Sequence, residues 1–128
     1  METLCNNYSI IKNAILAKYS SVFLHKSKQT CRFLDVLYSE GVIRGYNTYS
    51  TSGKIEVFLK YYKGYSTINN IKAISSPGRH VHLSFNDICY WDKQSQHSFI
   101  VLSTSQNVIS SKVAKRLKIG GKALCIIS

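Results

Sequence analysis

The chain has 128 residues, with 17 Lys+Arg against 6 Asp+Glu and a formal net charge of +11. A single domain's length, 45% hydrophobic residues and one proline exclude a disordered basic tail. Its longest apolar runs, such as Phe99-Ile100-Val101-Leu102, fall far short of the roughly 18 residues needed to cross a bilayer. The spacing of Leu4, Tyr8, Ile11 and Ile15 predicts a first helix over residues 3–18. Ser21 to Leu24 follows as a short strand. Ser27 is placed to cap a second helix whose Cys31, Leu34, Leu37 and Tyr38 share a face, and Gly41 to stop it with a left-handed backbone. Val42 to Tyr49 and Lys54 to Tyr61 read as a hairpin turned at Thr51-Ser52-Gly53, with Ile55, Val57, Leu59 and Tyr61 on one face.

Lys63-Gly64 marks the expected border between two halves, residues 1–64 and residues 65–128. Tyr65 to Ile74 reads as a strand that ends in the turn Ser75-Ser76-Pro77-Gly78. Arg79 to Leu83 alternates, with Val81 opposite His80 and His82. A short helical turn is expected over Asn86 to Trp91, a polar loop over Gln94 to Ser98, and a buried strand over Phe99 to Ser103. Ser110 or Ser111 caps a short basic helix that ends at Gly120-Gly121, and Ala123 to Ile127 closes the chain as a strand. The class is α+β and two-lobed: a helix-strand-helix-hairpin lobe, then a mainly β lobe with a short helix.

The charge is uneven. Up to Asp92 there are eleven basic and six acidic residues; beyond it there are six basic and no acidic ones. A self-repelling surface of this kind suits a polyanion, nucleic acid first among them. Cys5, Cys31, Cys89 and Cys125 form no CxxC pair and no cluster with His, so neither a zinc site nor a disulfide framework is expected, and Cys31 and Cys125 read as buried hydrophobes. The opening segment lacks the Arg- and Ser-rich character of a transit peptide, so the expectation is a chain made where it works.

Catalysis is hard to build from this sequence. The acids Glu2, Asp35, Glu40, Glu56, Asp87 and Asp92 are scattered, whereas metal-assisted phosphoryl chemistry needs carboxylates together. A nuclease-like enzyme using His80, His82 or His97 is the alternative, and a basic protein-interaction module is a third reading. RNA binding needs lysines for phosphates and small polar groups for ribose and base edges. Ser103-Thr104-Ser105-Gln106-Asn107 supplies the second, and the helix bearing Lys112, Lys115, Arg116 and Lys118 supplies the first. Placed just before that helix, the polar run would also share its N-terminal preference for phosphate. An ordinary strand-to-helix loop with a capping serine is the plainer reading of the same residues.

The stretch Ser103-Thr104-Ser105-Gln106-Asn107-Val108, followed by Ala114, Gly120-Gly121 and Cys125, resembles the C-terminal signature of bacterial-type ribosomal protein S8. That family runs Ser-Thr-Ser-Lys-Gly, a basic helix, Gly-Gly and a final apolar strand with cysteine. The resemblance extends upstream through Ser76-Pro77-Gly78, Leu59-Lys60-Tyr61, Glu40-Gly41-Val42-Ile43 and Ile11-Lys12-Asn13, over essentially the whole chain. It implies a two-lobed fold that binds a stem in the central domain of small-subunit rRNA beside neighbouring small-subunit proteins. No cofactor, small-molecule substrate or membrane is implied. Ser103, Thr104 and Ser105 carry over as the loop that contacts bases and riboses. Lys12, Ser27 and Lys28 carry over as backbone contacts from the N-terminal lobe.

The departures from the family pattern add charge in places and remove it in others. Gln106-Asn107 stand where the family has Lys-Gly, and Asn tolerates a left-handed backbone better than most residues. Ser76 replaces the arginine before proline, and Arg79 is placed to return that charge. Lys122 replaces the acid after Gly-Gly, and Ser111 an acid at the start of the helix. The richness in Ile, Tyr, Asn, Ser and Lys suits an AT-rich genome, so the expected location is a mitochondrial ribosome with the gene kept in the organelle. A plastid or a bacterial cytoplasm are the alternatives.

Overall fold

The helical repeat of Leu4, Tyr8 and Ile11 becomes α1 (Glu2–Leu16), which buries these residues with Ala14 and leaves Ile15 half-buried. The computed structural model of the chain describes residues 2–49, 53–94, 98–105 and 107–128, with the backbone alone for residues 2 and 3. Helices and antiparallel sheets combine in an α+β protein, which divides into two compact units, Met1–Asn69 and Asn70–Ser128.

In unit one, β1 (Ser21–His25) leads to α2 (Lys28–Ser39), then β2 (Ile43–Tyr49) and β3 (Lys54–Leu59). The three strands pair antiparallel in the order β1-β3-β2, with Leu24 opposite Ile55 and Val22 opposite Val57. Ser27 caps α2 as expected: its Oγ accepts the Thr30 amide at 3.1 Å. Gly41, at φ +77°, follows the C-cap Glu40. The buried face of α2 is Thr30, Phe33, Leu34, Val36 and Leu37, so the expected face is off by part of a turn: Cys31 is half-buried and Tyr38 is 59% exposed. Phe33 meets Tyr8 of α1 with ring centroids 5.2 Å apart. Each such buried side chain contributes roughly 1.5–3 kcal/mol relative to exposure, which is what holds two short helices on a three-stranded sheet. Residues 51 and 52 of the expected turn lie outside the described residues; Gly53 takes φ +65°.

The strand expected over 65–74 is two elements. Tyr65–Ser66 (β5) folds back on Tyr61–Tyr62 (β4) through the turn Lys63-Gly64, and Ile71–Ala73 (β6) belongs to the second sheet. The turn brings Tyr65–Ser66 back onto β4, because two consecutive residues with positive φ, at 51° and 83°, reverse the chain at once.

Unit two continues with β7 (His82–Leu83), α3 (Phe85–Gln94), β8 (Phe99–Ser103), β9 (Val108–Ser110), α4 (Ser111–Leu117) and β10 (Gly121–Ile127). Its sheet runs β6-β10-β8-β9, with β7 also on β10. The core joins Ile88 of α3, Ile100 and Leu102 of β8, Ala114 of α4 and Ala123 of β10. The alternating strand expected over 79–83 shortens to β7, since Ser76 and Arg79 close the preceding turn by exchanging backbone hydrogen bonds. The short turn expected over 86–91 is a ten-residue helix, α3. Ser84 and Asp87 cap it reciprocally: the Ser84 amide donates to Asp87 Oδ2 at 3.1 Å, and the Asp87 amide to Ser84 Oγ at 3.3 Å. Strand β9 separates the polar run from α4, so that run is a hairpin turn and not a strand-to-helix loop.

Candidate nucleic-acid interface

Because β9 returns antiparallel to β8 and pairs Val108 with Ser103, Thr104, Ser105 and Asn107 sit at the tip of a hairpin, and the expected link to the N-terminus of α4 is absent. The tip is tied internally. The Thr104 amide and Oγ1 both donate to the Asn107 carbonyl at 2.8 Å, the Asn107 amide donates back to Thr104 Oγ1 at 3.1 Å, and Asn107 Oδ1 accepts the Val108 amide at 2.8 Å. Thr104 and Asn107 therefore shape the loop, and Ser103 and Ser105 are presented by it. Gln106 lies outside the described residues.

The tip faces the start of β10. Ser103 stands in register with Lys122, and Lys122 with His82 of β7. Between them is a cleft of about 430 Å³ lined by His82, Ser103, Thr104, Ser105, Ile119, Gly120, Gly121 and Lys122. Its glycines are there for clearance. A Cβ on Gly121 would lie 2.8 Å from the Ser103 carbonyl oxygen and 3.1 Å from the Thr104 methyl carbon. One on Gly120 would run into the Leu83 carbonyl oxygen and sit 3.0 Å from Ser84 Cα. The result is a recess walled by backbone and hydroxyl groups, with one cation, Lys122, beside an imidazole.

Of the residues expected to meet RNA, Ser103, Thr104, Ser105 and Lys122 line this cleft together. Lys112, Lys115 and Arg116 are exposed on α4 and are not among its lining residues. Lys115 donates to Asp92 at 2.9 Å, and that hydrogen bond holds its ammonium above the ordinary lysine range. Lys112 lies 6.0 Å from the centroid of the Phe99 ring. Arg79 is exposed at the turn it closes with Ser76.

In unit one, Lys12 and Lys28 are exposed on their helices. Ser27 has a structural duty, since its Oγ lies 2.7 Å from Thr30 Oγ1, which accepts from Nδ2 of the buried Asn7 side chain at 3.0 Å. His80 and His82 are exposed, and His97 lies outside the described residues. Among the described residues no three His, Cys, Asp or Glu come together as a metal site would require. Sequence reasoning misses Ile119, Gly120 and Gly121 as cleft walls, although a glycine pair just after a helix is a visible sign of close backbone approach.

The family model for ribosomal protein S8 matches residues 2–128. The chain belongs to the ribosomal protein S8 family. It is 41% identical over 117 residues to "Small ribosomal subunit protein uS8" of Hyphomonas neptunium, covering 90% of this chain and 88% of that one. The protein of the same name from Bartonella henselae is 37% identical over 118 residues, at 90% and 88% coverage. "Small ribosomal subunit protein uS8m" of Acanthamoeba castellanii is 33% identical over 128 residues, all of both chains. As a member of the S8 family the chain is a ribosomal protein with a structural role.

Proposed function

We propose that this chain is a structural constituent of the small ribosomal subunit that binds small-subunit rRNA directly, clamping a central-domain stem and supporting subunit assembly beside neighbouring ribosomal proteins. The observation that carries the reading is the cleft, where a hydroxyl-bearing hairpin tip faces a glycine pair and Lys122 across open space that a nucleic-acid edge can enter. The wide, shallow minor groove of an RNA helix displays 2′-hydroxyls and base edges, which serine hydroxyls of this kind can engage. In this reading Ser103 and Ser105 meet ribose and base edges, Thr104 and Asn107 shape the tip, and Gln106 adds a further polar contact. Lys122, Lys112, Arg116 and Arg79 meet phosphates, with Lys115 a weaker contributor because Asp92 already holds it. Lys12 and Lys28 add backbone contacts from unit one beside Ser27.

We place the protein in a mitochondrial ribosome, on the AT-leaning composition and the end-to-end match to the uS8m relative. The decisive experiment is a gel shift of the whole chain on a central-domain stem carrying its internal loop, against a fully paired duplex of equal length. Ser105→Ala is expected to cost about 1–3 kcal/mol on the stem and little on the plain duplex. Equal losses on both would overturn the clamp.

A further inference from the structure

Unit one carries a second feature that the cleft does not explain. Strands β4 and β5 meet in a two-residue turn whose Lys63 and Gly64 both have positive φ, the geometry of a type I′ hairpin. Tyr62 and Tyr65 are paired directly across it and are 68% and 79% exposed. Lys63 Nζ lies 5.4 Å from the centroid of the Tyr62 ring.

The base of the hairpin is anchored. The Tyr61 hydroxyl donates to the Tyr19 carbonyl at 2.6 Å, the Thr67 amide to the Lys60 carbonyl at 3.1 Å, and Lys60 Nζ to the Gly41 carbonyl at 3.1 Å. Through Tyr61 the hairpin is tied to the end of α1, where Leu16 and Tyr19 are 80% and 60% exposed beside Lys18. A depression of about 220 Å³, lined in part by Ile15, Lys18, Tyr61, Tyr65 and Asn69, sits at this junction and has no acidic residue in its lining. From Glu56 to Asp87 the chain has no acid at all.

We propose that this hairpin is a second RNA contact, which takes an unpaired nucleotide: a base stacks on Tyr62 or Tyr65, and its flanking phosphates meet Lys63 and Lys18. Exposed rings beside uniformly positive charge are what a single strand needs, because every base has a face to stack and every linkage a charge to neutralise. An acidic protein segment would answer the lysines but leave two opposed rings with nothing planar to cover them. The proposal rests on the RNA-binding reading above, so its test reads both.

Fluorescence anisotropy of the whole chain is measured with a labelled ten-nucleotide oligoadenosine and with the central-domain stem, at physiological salt. The double variant Tyr62→Leu/Tyr65→Leu is expected to lose about tenfold or more on the oligonucleotide and less than about twofold on the stem, while Tyr62→Phe/Tyr65→Phe keeps both. Lys63→Asn keeps a residue suited to the turn and is expected to lower the salt slope on the single strand by about 0.7. Unchanged oligonucleotide binding by the leucine variant overturns the proposal, and so does a wild type that binds the stem alone. A tyrosine-dependent affinity for polyglutamate without one for the oligonucleotide would reassign the hairpin to a protein partner. Failure of the wild type on both RNAs overturns this contact and the rRNA reading together.

Discussion

The cleft of unit two and the hairpin of unit one are both polar, basic surfaces, yet they are made in opposite ways. The cleft exists by subtraction. Its walls join main chain and small hydroxyl groups to His82, Ile119 and Lys122, and the glycines that form it are hemmed in by Leu83, Ser84 and Ser103. The hairpin exists by addition, with two large rings and a lysine projecting from a short ribbon into solvent. Any change that fills the cleft must therefore also disturb the sheet around it, whereas the rings of the hairpin can be exchanged with little effect on folding. Shape is under tertiary control in one region and side-chain chemistry is under local control in the other.

The sharpest way to break this contrast is Gly120→Ala. Its Cβ has nowhere to go but the backbone of Leu83 and Ser84, so urea unfolding should show a loss of about 2–3 kcal/mol or more. Gly78, with nothing within 4 Å of a built Cβ and no positive φ, is the control, and Gly78→Ala should stay within about 0.5 kcal/mol. A neutral Gly120→Ala would mean that the cleft is not held by steric limits.

Next in size is Ser111→Ala. The Ser111 side chain is buried and its Oγ accepts the Ile100 amide at 3.1 Å, so its removal strands a donor in the core at a cost of about 1–3 kcal/mol by the same unfolding measurement. Smaller again is the division of labour on α4. Arg116→Ala should lower the salt slope of RNA binding by about one, and Lys115→Ala by less, since Lys115 is already paired with Asp92. Asp92→Asn should return Lys115 to a full contribution with hardly any change in stability, an exposed ion pair of this kind being worth little.

The smallest effect lies in unit one at high pH. The Tyr46 hydroxyl donates to Asp35, and chiefly for that reason its pKa is raised from 10.0 to about 12. The folded protein keeps this proton longer than the unfolded chain does, so the contribution is whole below pH 10 and is lost as the pH rises towards 12. Tyr46→Phe should flatten that part of the stability profile. An unchanged slope would show that the hydrogen bond does not persist in solution.

How much of this is legible in the sequence depends on how local its cause is. Helix α2 is legible from Ser27 and Gly41, and β8 from four consecutive apolar residues, because caps and buried runs act within a few positions. Helix α3 is under-read from its mixed polar surface, although Ser84 and Asp87, three apart, carry a capping signal that reveals it. Strand β9 offers only Val108 and Ile109 between polar neighbours, too little to register, and without it the polar run attaches to the wrong element. The run itself is plain as a stretch of hydroxyls and amides. That Thr104 and Asn107 close the loop while Ser103 and Ser105 line the cleft depends on turn geometry that composition does not encode. Likewise the glycine pair is visible, but its reason lies in strands β7 and β8, and the partner of Lys115 lies 23 residues back.

The order of strands in unit two also governs when the protein becomes competent. Strand β10, the last element, is the one on which β6, β7 and β8 all pair, so the sheet has no centre until that segment has been synthesised. Unit one is a compact unit that ends at Asn69. During vectorial synthesis, therefore, every residue of the hairpin surface is made before β6, β8 and β10. The cleft, whose second wall is the start of β10, is completed last, and with domains folding as units in the order they emerge the ribbon of Tyr62 and Tyr65 forms before the cleft does.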